Sequence, residues 1–169
     1  MMQATDLRLT FNPGTPIENP ALRGINLNIA DGEFVTVIGT NGAGKSTFLN
    51  AVSGTTRVDS GSILLNGIDV TKKTAHQRAH WVARVFQDPM AGTCEALTIE
   101  ENMALAYKRG GKRGLSFALN QNNRDLFREK LSVLKLGLEN RLTDRMGLLS
   151  GGQRQAVSLL MASLQPSKI

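Results

Sequence analysis

The stretch Gly39-Thr40-Asn41-Gly42-Ala43-Gly44-Lys45-Ser46-Thr47, called the phosphate loop below, decides the fold of this 169-residue chain. It matches the phosphate-binding pattern G-x-x-x-x-G-K-[ST] over its full length. Its glycines let the backbone turn tightly and leave no Cβ in the way, so that successive N–H groups can surround an anion. Lys45 is predicted to contact the β- and γ-phosphates, and the Ser46 hydroxyl to bind Mg²⁺. The loop therefore predicts a site for a nucleoside triphosphate.

The segments on both sides of the loop have the character that the motif requires. Residues Glu33–Ile38 are mostly apolar and β-branched, which predicts a buried strand leading into the loop. Residues Ser46–Val52 predict a helix that ends near Gly54. A strand, a glycine-rich loop and a helix in this order place the phosphates at the N-terminus of the helix.

The composition is that of an ordinary globular domain. The chain is 41% hydrophobic and 20% charged, and its length is enough for one domain with a substantial core. No apolar run reaches the ~18 residues that a membrane-spanning helix needs, and the first residues lack a signal-peptide pattern. Cys94 is the only cysteine, which excludes an internal disulfide and fits a reducing compartment. The net charge of +6 permits a nucleic-acid or anionic-membrane partner without deciding for either.

The remaining patterns before residue 95 predict a mixed sheet. Apolar and polar residues alternate over Ala4–Phe11 and Ala21–Ile29, which predicts two antiparallel strands joined by a short turn. Residues Trp81–Phe86 predict a further strand, which Pro89 would end. The order of strand and then helix around the phosphate loop favours a parallel core beside the antiparallel strands.

The middle of the chain predicts a helical lobe. Thr98 and Glu101 have capping-box spacing, which predicts a helix running to about Tyr107. Residues Asn123–Lys135 have the spacing of an amphipathic helix. The basic glycine-rich segment 108–114 between them is either a solvated loop or a surface for phosphate or lipid headgroups.

A second glycine-rich motif, Leu149-Ser150-Gly151-Gly152-Gln153, precedes the last predicted helix. Ser150 is a suitable N-cap for a helix over about 153–164. Gly151 and Gly152 permit an anion to approach the N-terminus of that helix closely. The motif alone leaves two interpretations open, which are an anion site and an ordinary glycine-rich helix cap.

This second motif resembles the signature of the ATP-binding-cassette (ABC) ATPases, which other phosphate-loop classes lack. Gln87 lies between the two glycine-rich motifs, as the Q-loop glutamine of the family does, and residues 98–102 resemble the stretch that follows it. The resemblance covers nearly the whole chain. It implies an α/β fold, with a P-loop NTPase (RecA-like) core, an antiparallel β subdomain and an inserted α-helical subdomain. In a single cassette of residues 1–169, the β subdomain and core would span about 4–94, the helical subdomain about 95–150, and the signature helix 151–169.

The resemblance also implies roles for individual residues. The phosphate loop would bind ATP, with Lys45 on the phosphates and Ser46 on Mg²⁺. Gln87 would contact Mg²⁺ or the attacking water and relay the state of the nucleotide to a membrane partner. An upstream aromatic residue stacks on adenine in the family, and Phe11 is the best match, although a core position on a strand would also explain this phenylalanine.

In the family, the signature motif acts on the nucleotide of a second cassette. Ser150, Gly151, Gly152 and Gln153 would close over the γ-phosphate of ATP held by the opposite chain, so that ATP joins a two-fold dimer. The resemblance thus implies the ATP-binding subunit of a transporter, an ATPase that drives a separate integral-membrane permease. Such a homodimer would lie in the cytoplasm on the inner face of the membrane, with no direct nucleic-acid partner.

The sequence departs from the family pattern at its end. The family continues with an apolar strand ending in Asp-Glu and then a histidine, whereas this sequence ends at Ile169. Those carboxylates hold Mg²⁺ and polarise water, so we expect the chain as given to lack ATPase activity. It is either part of a longer ATPase, which we favour, or a natural truncated relative. Two other functions stay open: a soluble ABC-type ATPase acting on nucleic acid or ribosomes, and a non-hydrolysing nucleotide-binding regulator.

Overall fold

The computed structural model describes residues 1–111 and 118–169. These residues form two compact units, of which the first contains residues 1–82 and 168–169 and the second contains residues 83–167. Each unit has its own cluster of buried apolar side chains. Of the basic segment predicted at 108–114, residues 112–114 lie outside the described part of the chain, and both interpretations of that segment stay open.

The first unit is built on a four-stranded antiparallel sheet. Strands β1 (Met2–Phe11) and β2 (Asn19–Ile29) pair along their length. Strand β3 (Ser60–Leu65) pairs with β1 and with the short β4 (Ile68–Asp69). The resulting strand order is β2-β1-β3-β4.

Both early strands that the sequence predicts are therefore confirmed. Each begins two residues earlier than predicted, at Met2 and at Asn19. Met2 extends the ladder because it pairs with Ile29 on one side and with Leu65 on the other. Its side chain is buried together with the other apolar residues of the sheet face, which are Ala4, Leu7, Leu9, Leu22, Ile63, Leu65 and Val70.

Two helices pack in the first unit. Helix α1 (Lys45–Ser53) follows the phosphate loop, and α2 (Ala75–Arg78) is a single turn. Gly54 ends α1 as predicted, because its φ of 79° is left-handed and cannot continue a helix. The side chains that α1 buries in the core of this unit are those of Phe48, Ala51 and Val52.

The predicted buried strand at Glu33–Ile38 is absent. These residues pair with no strand of the described chain, and Phe34 and Ile38 are 93% and 88% exposed. A β-strand persists only when its backbone N–H and C=O groups pair with a neighbour, and the described residues supply none here. The predicted strand at Trp81–Phe86 is absent as well. All described strand pairs are antiparallel, which differs from the parallel core that we expected.

The second unit is helical. It contains α3 (Ile99–Tyr107), α4 (Gln121–Ser132) and α5 (Gly151–Ser163). No helix among the described residues combines the length and the apolar character that crossing a membrane requires. The largest apolar side chains at the centre of this unit are those of Ile99, Met103, Phe127, Leu131, Leu138 and Met146.

The start of α3 agrees with its predicted capping box. The Thr98 hydroxyl accepts from the Glu101 N–H at 3.2 Å, and the Glu101 carboxylate accepts from the Thr98 N–H at 2.7 Å. These hydrogen bonds from Thr98 hold the pKa of the Glu101 carboxyl below its ordinary value. The predicted amphipathic helix at Asn123–Lys135 is α4, which ends earlier than expected. Lys135 lies outside it because its φ of 55° is left-handed.

Candidate functional site

The phosphate loop depends on its glycines for its own shape. Gly42 and Gly44 have φ values of 82° and 86°, a region that side-chain-bearing residues rarely occupy. A Cβ at Gly44 would lie 2.5 Å from the backbone oxygen of Ala21, and a backbone atom cannot swing away as a side chain can. A Cβ at Gly39 would lie 3.2 Å from the Cβ of Ala43. The fold of the first unit therefore requires glycine in this loop before any ligand is considered.

Lys45 begins α1, and its ammonium group folds back over the loop. The Lys45 Nζ atom donates to the backbone oxygens of Gly39 and Thr40, both at 2.8 Å. These two hydrogen bonds hold the positive charge against the loop, next to the N–H groups that the motif directs toward an anion. A polyphosphate that enters the loop could replace these two neutral carbonyl acceptors, because its charged oxygens form a stronger, charge-assisted hydrogen bond with Lys45.

The N-terminus of α1 is open to an anion. Its N-cap, Gly44, provides no side-chain cap, and the first turn contains no acidic residue. The first N–H groups of a helix have no partner within the helix and carry its partial positive charge. Phosphate oxygens can therefore accept hydrogen bonds here without displacing a capping side chain.

The residues around the loop fit a Mg²⁺ ion that binds together with a nucleotide, mainly through the phosphate oxygens. The hydroxyl-bearing side chain of Ser46 is exposed in the first turn of α1. The described residues contain no group of three or more His, Cys, Asp or Glu side chains that could enclose a metal ion. Mg²⁺ needs no such enclosure, because it keeps several waters and binds through phosphate oxygens with one or two protein oxygens. Ser46 can supply one of those oxygens.

Phe11 lies at the end of β1 and is exposed. Its side chain is 41% accessible, whereas Leu9 on the same strand is 2% accessible. A core function would require burial like that of Leu9, so the exposure argues against the core interpretation of Phe11. An aromatic face left in solvent at a strand end is free to stack on a planar base.

Gln87 belongs to the second unit, in an irregular segment, and is exposed. The next residue, Asp88, accepts a hydrogen bond from the Met90 N–H at 2.9 Å and opens a short 3₁₀ turn at Pro89–Gly92. Gln87 therefore precedes an ordered turn and presents its side-chain amide to solvent.

The signature motif (residues 149–153) forms the N-terminus of α5. The Ser150 hydroxyl accepts from the Gln153 N–H at 3.3 Å, and the Gln153 side-chain oxygen accepts from the Ser150 N–H at 3.1 Å. The prediction that Ser150 caps this helix is confirmed. A Cβ added to Gly151 or Gly152 would meet no atom within 4 Å among residues 1–111 and 118–169. Nothing in the described structure therefore requires glycine at these two positions.

Buried polar residues that support the motifs were missed by the sequence analysis. Arg154, one turn into α5, donates to the Glu95 carboxylate at 2.5 Å and to the Gly147 backbone oxygen at 3.3 Å. Asn102, which is 1% exposed, donates to the Cys94 backbone oxygen at 2.9 Å. Glu95 lies 59 residues from Arg154 in the sequence, so no local pattern could have identified that pair, whereas Asn102 lies in the stretch 98–102 that resembles the family and bonds to an oxygen only 8 residues away.

Arg78 was missed for the same reason. It is 2% exposed and donates to backbone oxygens at the end of α1, 26 and 27 residues earlier in the chain. It lies in a polar segment that the sequence presents as solvated surface. The only local signal is the capping box of α2, formed by Thr74 and Gln77, which orders this segment.

The chain matches the ABC transporter family over residues 22–169. It is 40% identical over 171 residues to the tyrosine transport ATP-binding protein of Clostridioides difficile, an overlap that covers 100% of this chain and 67% of that relative. It is 32% identical to the energy-coupling factor transporter ATP-binding protein EcfA2 of Acetivibrio thermocellus, covering 98% of this chain and 57% of that one. The chain thus spans roughly three-fifths to two-thirds of these relatives.

The fold is also similar to that of solved cassettes. A dimeric structure of the ATP-binding cassette MJ0796, in a post-hydrolysis state bound to ADP and Pi, aligns with a TM-score of 0.82 and 27% identity. The alignment covers 99% of this chain and 71% of that one. The α/β phosphate-loop fold that the sequence predicts is confirmed by this similarity, and the two alternative functions gain no support from the relatives. The chain belongs to the ABC transporter family and is one of its ATP-binding cassettes.

Proposed function

We propose that this cassette binds ATP with Mg²⁺ at its phosphate loop, joins a second cassette through that ATP, and supplies the energy of hydrolysis to a membrane permease. One observation carries the proposal. Gly151 and Gly152 occupy the first helical positions of α5, where the described part of the chain leaves room for a side chain. Glycine is a weaker helix former than residues with a side chain, so we infer that its benefit here comes from a surface that approaches from beyond the described residues.

The first half of the proposed site is the phosphate loop. Lys45 would leave its two carbonyl acceptors for the β- and γ-phosphates, and the open N–H groups of α1 would bind phosphate oxygens. Ser46 would bind the Mg²⁺, which neutralises phosphate charge when it is bound. Phe11, which is exposed at the end of β1, would stack on the adenine.

The second half is the signature motif of the opposite chain. Its capping box is neutral, because Gln153 holds the position that a glutamate holds in the box of α3. The first turn of α5 contains no acidic residue, so the partial positive charge of this helix end is not cancelled locally. A γ-phosphate held by one cassette could then be bound by Ser150 and the two glycines of the other, with Gln87 on Mg²⁺ or the attacking water.

The coupled process is transport through a separate permease. The relatives include a protein named for tyrosine transport and energy-coupling factor components, and the homodimer proposed here would bind the cytoplasmic face of such a permease. Binding of a solute is the property of the permease pathway and not of a phosphate site. The proposal therefore names the mode of coupling and leaves the choice of solute to the permease.

Two substitutions separate the halves of the site. Lys45→Ala should weaken ATP binding by about tenfold to a hundredfold, because it removes a charge-assisted contact to phosphate. Ser150→Arg should leave ATP binding by the single cassette within about twofold, yet abolish ATP-driven dimerisation by filling the space above the signature glycines. Titration calorimetry gives the first quantity, and sedimentation velocity with ATP and Mg²⁺ gives the second.

Ser132→Arg is the matched control, because Ser132 is an exposed residue at the end of α4, away from both glycine-rich motifs. It should leave both measurements at their wild-type values. If Ser150→Arg instead reduces binding by the single cassette as strongly as Lys45→Ala does, the signature motif acts within its own chain and the proposed dimer site is wrong.

A further inference from the structure

Helices α1 and α5 differ from the other long helices in the charges at their ends. Helix α3 has Glu100 and Glu101 in its first turn, and α4 has Lys130 in its last turn. Helices α1 and α5 have no acidic residue in the first turn and no basic residue in the last turn. Neither helix therefore compensates its own partial charges.

An arginine from elsewhere in the first unit supplies the missing cation for α1. Arg78 donates through Nη1 to the backbone oxygens of Ala51 and Val52 at 2.6 and 2.8 Å. These two belong to the last four carbonyls of the helix, and the Ala51 oxygen also accepts from the N–H of the C-cap residue Gly54. Arg78 also donates to the backbone oxygens of Thr71 and Lys73 at 3.0 and 2.9 Å, which fixes its guanidinium group in one place.

The site of Arg78 is closed to water. The residue is 2% exposed, and a Cβ on Gly54, which follows α1, would lie 2.8 Å from its Nε atom. Burial lowers the pKa of the Arg78 guanidinium, partly offset by the charge of Asp69. An arginine stays protonated in proteins, so a full charge is held against the carbonyls at the end of α1.

Helix α5 receives an arginine in the same way within the second unit. Arg109, which follows the end of α3, donates to the backbone oxygen of Ala162 in the last turn of α5 at 3.1 Å and to that of Gln165, two residues after the helix, at 2.9 Å. The side chain of Gln165 donates in return to the Tyr107 backbone oxygen at 2.8 Å. Burial lowers the pKa of Arg109 as well. The C-terminal end of each helix thus carries a guanidinium group that its own sequence does not provide.

We propose that Arg78 and Arg109 are positioning residues for ATP: each places a fixed cation on the C-terminal carbonyls of a helix whose N-terminus faces the phosphates. This inference rests on the proposed function, which assigns the two N-termini to one triphosphate. The charge effect of such a cation falls off within about one turn, so each guanidinium acts at its own helix end, where it binds the carbonyl oxygens that end the helix. It also holds the last turn in place, so that the first turn presents its N–H groups in a constant geometry.

The two arginines predict separable defects, because their helices act at different steps. Arg78→Met should weaken ATP binding by the single cassette about three- to tenfold and change adenosine binding by less than about twofold, since adenosine carries no phosphate. Arg109→Met should leave ATP binding by the single cassette within about twofold and raise the ATP concentration for half-maximal dimerisation about three- to tenfold. Titration calorimetry with ATP and with adenosine measures the effect of Arg78→Met, and sedimentation velocity at increasing ATP concentration measures the effect of Arg109→Met.

Conservative variants separate a charge effect from a loss of folding. Arg78→Lys and Arg109→Lys keep a cation at each helix end and should recover at least about half of the lost affinity on a logarithmic scale. They also serve if Arg78→Met does not fold. Arg128→Met is the matched control, because Arg128 pairs with Asp125 on the exposed surface of α4. It should leave both measurements unchanged.

The proposal is overturned if the lysine variants lose as much ATP affinity as the methionine variants, or if adenosine binding falls together with ATP binding. It is also overturned if both arginine substitutions affect both steps equally. Its failure is distinct from failure of the proposed function. If the proposed function itself were wrong, the wild-type protein would not bind ATP, or the Lys45→Ala variant would bind ATP as well as the wild type does.

Discussion

The two glycine-rich elements of this cassette use glycine for different reasons. In the phosphate loop, Gly44 has a φ of 86° and a Cβ there would lie 2.5 Å from a backbone oxygen of β2. In the signature motif, Gly151 and Gly152 have helical backbones, and a Cβ on either would meet no described atom within 4 Å. The first element needs glycine to fold, and the second has glycine without such a need.

This difference teaches how a binding surface can be recognised without its partner. A glycine that the fold requires says little about ligands, because its substitution disrupts the folded structure whether or not a ligand binds there. A glycine that the described fold does not require, placed directly after the N-cap of an exposed helix, fits the close approach of a partner as proposed above. The pair of glycines in the signature motif is therefore the more specific indication of an external partner.

A second difference concerns the capping boxes of α3 and α5. The box of α3 closes with the carboxylate of Glu101, which accepts from the Thr98 N–H at 2.7 Å. The box of α5 closes with the neutral amide of Gln153, which accepts from the Ser150 N–H at 3.1 Å. The two boxes have the same hydrogen-bonding pattern, but only the neutral one leaves its helix end attractive to an anion.

The largest expected effect is that of Gly44→Ala. The strained φ and the contact with the Ala21 oxygen should reduce the free energy of unfolding by about 2–4 kcal/mol. ATP binding should be lost as well, because the loop cannot keep its shape. Urea denaturation followed by circular dichroism measures the stability. A fully stable Gly44→Ala protein would show that the loop tolerates a side chain at this position. The statement that only the phosphate loop requires glycine for folding would then be wrong.

The matching substitution in the signature motif is Gly152→Ala, which should weaken dimerisation without reducing the stability of the fold. Alanine is the better helix former, so the free energy of unfolding should stay constant or rise by up to about 1 kcal/mol. The ATP concentration needed for half-maximal dimerisation should nevertheless rise about tenfold, because the added methyl group would lie in the proposed approach path of the phosphate. Denaturation and sedimentation velocity on the same preparation test both statements. A loss of stability without a change in dimerisation would reverse the assignment of this glycine.

The smallest effect concerns pH and the charged box of α3. The folded pKa of Glu101 lies below its ordinary value of 4.5, so its contribution to stability is present above that pH and is lost as the pH falls toward the folded pKa. Glu101→Gln converts this box to the neutral form of α5. It should make the unfolding free energy less sensitive to acid below about pH 4.5.

Urea denaturation at neutral and acid pH measures this difference between wild type and variant. Glu129→Gln, which changes an exposed glutamate of α4, is the control and should retain the wild-type acid sensitivity. Equal acid sensitivity of the wild type and Glu101→Gln would show that the capping carboxylate contributes nothing to the pH dependence.

Local motifs were the part of the structure that the sequence could predict. The helix after the phosphate loop, the capping box at Thr98, the N-cap at Ser150 and the stop at Gly54 were all predicted correctly. Each depends on hydrogen bonds or dihedral angles within a few residues. Such features form wherever the sequence carries the right side chains at the right spacing, so one sequence suffices to predict them.

Pairing between distant segments was the part that it could not predict. Residues Glu33–Ile38 have a strand-like composition but form no strand, because a strand depends on a neighbour that its own residues do not specify. Arg78 looks like a surface residue and is buried, because its carbonyl partners come from a helix 26 and 27 residues earlier.

The sequence by itself determined the family, the phosphate loop and the neutral helix start at Ser150, since each is written in consecutive residues. Only the tertiary structure decided that Gly44 is required by the Ala21 oxygen, that Gly152 is required by nothing in the described chain, and that Arg78 and Arg109 cap α1 and α5. The reason is physical: dihedral preferences and local hydrogen bonds act along the chain, whereas excluded volume and desolvation act between segments that only folding brings together.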